Sequence, residues 1–122
     1  MKIRLSTNQI RVRVRRSEVA QLADNRSLEF SLALPGAVTL NVVVQPQSAN
    51  GVTMSSSARL TIGIAHDELA AWANDEARVG LSFALPDAPT QVLIEKDFAC
   101  LHGDASDNAD TFDHPAANGA RA

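Results

Sequence analysis

Two stretches set fifty residues apart constrain this chain more than anything else in it: Ile10–Ala23, IRVRVRRSEVAQLA, and Leu60–Ala73, LTIGIAHDELAAWA. Each opens on alternating apolar and other residues, the period of a half-buried strand. Each then turns at once into apolar positions three and four apart, the period of a helix. Val12 and Val14 correspond to Ile62 and Ile64, and Glu18, Ala20 and Ala23 to Glu68, Ala70 and Ala73. A strand–helix junction that recurs in phase predicts a tandem repeat. A unit this small cannot bury a core alone, so each copy must close on the other.

The flanking segments extend the unit. KIRL (2–5) and QIRVRV (9–14), separated by STN, read as a hairpin. Ile3, Leu5, Ile10, Val12 and Val14 then face a core, and Lys2, Arg4, Arg11, Arg13 and Arg15 face outward. Ser17 reads as an N-cap with Glu18 in the first turn. Val19, Leu22 and Ala23 form the buried stripe, and Asn25 is the stop. LEFSLAL puts Leu28, Phe30, Leu32 and Leu34 inward. PGA turns the chain, and VTLNVVV puts Val38, Leu40, Val42 and Val44 inward. QPQSANG, residues 45–51, reads as a break.

The order then returns. VTM and RLTIGI read as strands. Asp67 caps a helix, ELAAWAND, in which Leu69, Trp72 and Ala73 take the places of Val19, Leu22 and Ala23. RVGLSFALP and TQVLIE close the set. One inserted residue moves the offset to 51, matching Ser31, Ala33, Leu34 and Pro35 with Ser82, Ala84, Leu85 and Pro86. The expected fold is therefore β-rich α+β: tandem duplicated ββαββ units, residues 1–45 and 51–96, forming an intramolecular pseudo-dimer within one domain, 1–97. Residues 98–122, acidic and poor in apolar side chains, read as a mostly disordered tail whose first residues, Phe98 to Leu101, can dock on the core.

The net charge of −3 conceals an asymmetry. Residues 1–16 carry six cations and no acid, and the remaining 106 carry five cations and fourteen acids. Such a split points to a polyanion-binding face, an acidic tail, or both. Four Phe, one Trp and no Tyr argue against a base-stacking platform. The single cysteine, Cys100, leaves no internal disulfide. With no secretory h-region and no span-length apolar run, the expected location is the cytoplasm, with no membrane partner.

The pattern MKIR…N.I.VRV..SEV..LA followed by two strands resembles the AbrB/MazE-type swapped-hairpin domain. In that family two chains interleave into a DNA-binding dimer. The resemblance covers 1–45 and 58–95, and implies that one molecule here imitates that dimer. Two features depart from the family pattern. The turn usually holding Trp-Gly-Asn-Ser is STNQ here, sharing Asn8, and SSAR in the second copy; the proline usually opening the helix is absent from both. The whole chain is also similar to a small group of bacterial proteins of uncharacterised role that open with MKIR and a SEV helix and end in an EKDF.CL segment, here Glu95–Leu101.

The cations Lys2, Arg4, Arg11, Arg13 and Arg15 are the candidate site. Several cations on one surface suit phosphate binding, and arginine's fork suits it best. Thr61, Gly63 and Ala65 replace Arg11, Arg13 and Arg15 in the second copy, which counts against a palindromic operator. Cys100 and His102, with Asp97, Asp104 and His114, lack the second ligand pair of a structural zinc site, so no metal is expected. They read as a packed thiol and a solvated imidazole. In His66-Asp67-Glu68, Asp67 is accounted for as a cap. Trp72 is a larger core residue in the place of Leu22. Without a phosphate loop, paired catalytic carboxylates or a nucleophile elbow, neither an enzyme nor a cofactor is expected.

The expected function is a non-enzymatic cytoplasmic binding or regulatory module that contacts DNA or RNA through the arginine-rich hairpin, as a monomeric pseudo-dimer or weak homo-oligomer. The alternative is a protein-interaction or structural module whose arginines pair with carboxylates of the chain or of a partner. Whether Arg11, Arg13 and Arg15 stand open or against acids separates the two.

Overall fold

The computed structural model describes residues 1–98 and 110–112. The alternating segments become eight strands and the helical stripes two short helices. In order these are β1 (Lys2–Ser6), β2 (Gln9–Val14), α1 (Arg16–Ala23), β3 (Leu28–Leu34), β4 (Val38–Gln47), β5 (Gly51–Met54), β6 (Arg59–Ala65), α2 (His66–Asn74), β7 (Gly80–Ala84) and β8 (Gln91–Lys96).

Neither half of the chain builds a sheet by itself. One sheet has the order β1-β2-β8-β7 and the other β3-β4-β6-β5. Each therefore joins a hairpin from the first half to a hairpin from the second. The hairpins are antiparallel, but the seams are parallel. β2 runs beside β8 from Gln9↔Gln91 to Val14↔Lys96, and β4 beside β6 from Asn41↔Arg59 to Gln47↔Ala65. A tight turn cannot join parallel neighbours, so each seam unites distant segments.

Both sheets send side chains into one core. Residues 1–47 supply Val12, Val14, Val19, Leu22, Leu28, Val42 and Val44; residues 51–96 supply Ile62, Ile64, Leu69, Trp72, Leu81, Val92 and Ile94. Burying each such side chain contributes about 1.5–3 kcal/mol, so half the core's stabilisation is lost to either half alone. Trp72 and Leu22 are both fully buried in this cluster, and the Trp72 indole N–H donates to the Val79 carbonyl at 3.3 Å.

Both helices start earlier than expected. Arg15, in an extended conformation, is the N-cap of α1, and Ala65 that of α2. Ser17 and Asp67 lie inside the first turn, because distant residues satisfy the helix starts. The Asp110 carboxylate accepts the Ser17 N–H at 2.9 Å, and the Asn50 amide oxygen accepts the Ala65 N–H at 2.7 Å. Asn25 ends α1 as expected: it takes a φ of 61°, and its N–H donates to the Leu22 carbonyl at 3.0 Å.

Four inward assignments need correction. Leu32, Leu34 and Val38 share the apolar face but are exposed. β4 gains β6 as a neighbour only from Asn41 onward, so the hairpin end with Leu34↔Val38 extends beyond the core as a two-stranded arm, and of the pair Leu32↔Leu40 only Leu40 packs against the core. Leu5, near the far end of β1, is 64% exposed. The expected break at 45–51 shrinks to Ser48–Asn50, because β4 continues through Pro46, which sits opposite Ile64 in the seam.

Of the segment expected as a tail, Phe98 and Asp110–Phe112 are described, and they pack on the domain. The Phe112 N–H donates to the Asp97 carbonyl at 2.9 Å, and the rings of Phe98 and Phe112 meet edge to face at 6.1 Å. Cys100, His102, Asp104 and His114 lie outside the described residues. No helix among the described residues is long and apolar enough to cross a membrane.

Candidate functional site

Strand pleating assembles the basic face. β1 and β2 pair so that Lys2 lies opposite Arg13 and Arg4 opposite Arg11. Ile3 and Val12 turn the other way and pack on or within the core. Directly opposite cations repel, and the structure relieves only part of that repulsion. The Arg11 Nε and Nη2 both donate to the Glu95 carboxylate, the latter at 3.3 Å, across the seam from β8. The hydrogen bond to Glu95 and its charge raise the Arg11 pKa, against a small opposing effect of burial. Lys2 Nζ stands 3.5 Å from the Asp97 carboxylate, with its side chain 74% exposed.

Arg4 and Arg13 are exposed, and no carboxylate among the described residues lies within ion-pair distance of either. Lys2, Ile3, Arg4, Arg11 and Arg13 line a depression of about 200 Å³. Four cations against Glu95 and Asp97 leave this face a net charge of +2.

Arg15 is set apart from the other four as the cap of α1, its N–H donating to Glu18 Oε1 at 2.8 Å. Glu18 Oε2 also binds the α-amino group of Met1 at 2.7 Å, which ties the start of β1 to α1. The other sheet has no matching basic surface. In its β5–β6 hairpin Gly51 pairs with Gly63 and Thr53 with Thr61, and its Arg59 pairs with Glu29 at 3.6 Å.

The remaining candidates among the described residues assemble no site. His66 and Asp67 are exposed on the first turn of α2. Glu68 is taken by the Asn50 amide at 2.7 Å and by Arg78 at 3.2 Å. Among the described residues, no three metal-ligating side chains converge.

One charged residue escaped the sequence analysis. Lys96 is 2% exposed and donates from Nζ to the Asp75 carbonyl at 2.7 Å, at the end of α2. Its ammonium lies 5.8 Å from the Trp72 ring and 5.2 Å from that of Phe112. Burial lowers its pKa below the ordinary 10.5, while Asp75 and Glu76 pull the other way. Val92 and Ile94 point inward, and alternation puts Lys96 in their row.

The sequence pattern of a family of unknown function (DUF7009) matches residues 1–116. The chain belongs to that family. No curated protein and no solved structure matches it.

Proposed function

We propose that the protein is a cytoplasmic, non-enzymatic binding module built as an intramolecular pseudo-dimer of AbrB/MazE-like swapped hairpins, and that the outward face of β1 and β2 binds the phosphate backbone of a nucleic acid. The observation that carries the ligand assignment is the pair Arg4 and Arg13. They stand exposed on one face, beside Lys2 and Arg11, with no carboxylate of the described residues within ion-pair distance; Glu95, the register neighbour of Arg13 on β8, is held by Arg11. Guanidinium groups so placed are free to release counterions from a polyanion.

Support for the duplication comes from pairing. Exchanging β1–β4 for β5–β8 turns one sheet order into the other. The seams equate Val12 with Ile62 and Val44 with Ile94, both at an offset of 50. The hairpin registers equate Ile3 with Val52 and Phe30 with Phe83, offsets of 49 and 53. Under this reading the sequence alignment at 51 gives way, and the extra residues of the first hairpin form its exposed arm.

Fluorescence anisotropy with random duplex DNA and single-stranded RNA tests the proposal. The full chain binds with a log–log salt slope of about −2 to −4, the expectation for a few phosphate contacts. An Arg4→Ala/Arg13→Ala variant loses most of that binding. No binding at low salt refutes it. The pairs Arg11–Glu95 and Lys2–Asp97 favour a second reading, a protein-interaction module whose cations are held by its own carboxylates; that module has no nucleic-acid affinity.

A further inference from the structure

We propose that Asp110–Phe112 is an autoinhibitory strap that holds Arg16 and the start of α1 away from the anionic ligand of the basic face. This inference rests on the function proposed above. Arg15 and Arg16 follow Val14 directly in the chain, at the junction of β2 with α1, set apart from the four cations of the strand face. The strap engages Arg16 in three ways. Its guanidinium carbon lies 4.6 Å from the centre of the Phe112 ring. Its Nε donates to the Thr111 carbonyl at 3.4 Å, and its backbone N–H to the Asp110 carbonyl at 3.0 Å.

The Asp110 carboxylate occupies the next position along. It accepts the Ser17 N–H at 2.9 Å and the Ser17 hydroxyl. Backbone N–H groups, a hydroxyl and neighbouring arginines are the donors a phosphate would use, and here the chain's own carboxylate fills them. The Ser17 hydroxyl, then its N–H, hold the Asp110 carboxyl below its usual pKa, and Arg15 and Arg16 add to the effect.

The strap is also joined to the basic face through one residue. Asp97 accepts the Phe112 N–H at its carbonyl, donates its own N–H to Val14 at 2.8 Å, and holds Lys2 with its carboxylate. Asp110, Arg16 and Ser17 are all exposed. Exposed charge contacts contribute little to stability, so the docked arrangement is one that a polyanion can displace. The competition is mutual: the strap lowers ligand affinity, and ligand lowers strap occupancy.

The test measures random-duplex affinity for the full chain and for Asp110→Ala and Phe112→Ala, with thermal melts to confirm folding. The second variant removes the ring rather than the charge, and so stands in if the first does not fold. If the strap is docked nine-tenths of the time, each variant binds about tenfold tighter. The salt slope steepens by about 1 as another phosphate contact becomes available. Adding Arg16→Ala to either variant cancels the gain. Binding that equals the native chain in affinity and slope overturns the strap alone, as does a gain that survives Arg16→Ala. Absence of binding by every form overturns the basic-face reading, and the strap with it.

Discussion

Glu95 is the carboxylate most directly opposed to polyanion binding, and Glu95→Gln isolates its effect. The substitution keeps the shape of the side chain and removes one negative charge, taking the face from +2 to +3. It releases the Arg11 fork, whose neighbour across β1 is Arg4. If Arg11 then gains one phosphate contact, affinity rises by a factor that scales as salt concentration to the power −0.9. That is about eightfold at 0.1 M and about fourfold at 0.2 M. Anisotropy with random duplex at four or more salt concentrations reads both the gain and its decline. The control is Glu29→Gln, which releases Arg59 on the other sheet by the same change of net charge. The reasoning is refuted if Glu95→Gln leaves affinity and slope unchanged. It is refuted equally if Glu29→Gln gives the same gain, because overall charge and not this face would then govern binding.

Three further outcomes are expected. Gly80→Ala destabilises the fold by about 1–3 kcal/mol, as overpacking against a rigid group does, because its Cβ would meet the Ile94 carbonyl oxygen at 2.6 Å. Gly63→Ala costs less, since its Cβ meets the movable end of Gln47; urea midpoints of the two variants compare them directly. The Asp110 carboxyl has a lowered pKa, so its contribution to strap docking is present above the ordinary 3.8 and is lost as pH falls through the lower folded value. The Ser17 amide resonance follows that loss, and Asp110→Asn flattens it. Residues 1–47 and 48–98 made as separate peptides are each unfolded by circular dichroism and regain structure when mixed, since both parallel seams and the core need both halves.

Much of the fold was legible because alternation reports strand phase. The phase of β2 placed Val12 and Val14 inward, the repeat carried Ile62 and Ile64 with them, and all four are buried; the continuous apolar run Val92–Ile94 left the phase of β8 unassigned. Phase does not report cover, which is why Leu32 and Leu34 sit on the apolar face with little above them. Nor does it name the neighbouring strand. The contact of Arg11 with Glu95 depends on a parallel register between segments more than eighty residues apart, and nothing local encodes it. The helix starts were misplaced for the same reason. Ser17 and Asp67 have good cap chemistry, but Asp110 and Asn50 arrive from elsewhere in the chain and shift the cap upstream. Lys96 shares the parity of Ile94, so the inward phase of β8 that the structure shows carries an ammonium onto the inner face.

The most direct test of the account is a chemical-shift titration of the isotope-labelled full chain with a short random duplex, observing backbone amides and arginine Nε–H groups together. The account predicts fast, salt-sensitive shifts confined to β1, β2 and the start of α1, with the Nε–H groups of Arg4 and Arg13 moving most and those of Arg59 and Arg78 unmoved. Shifts centred on the β3–β4 arm or the second sheet, or none at low salt, would contradict it.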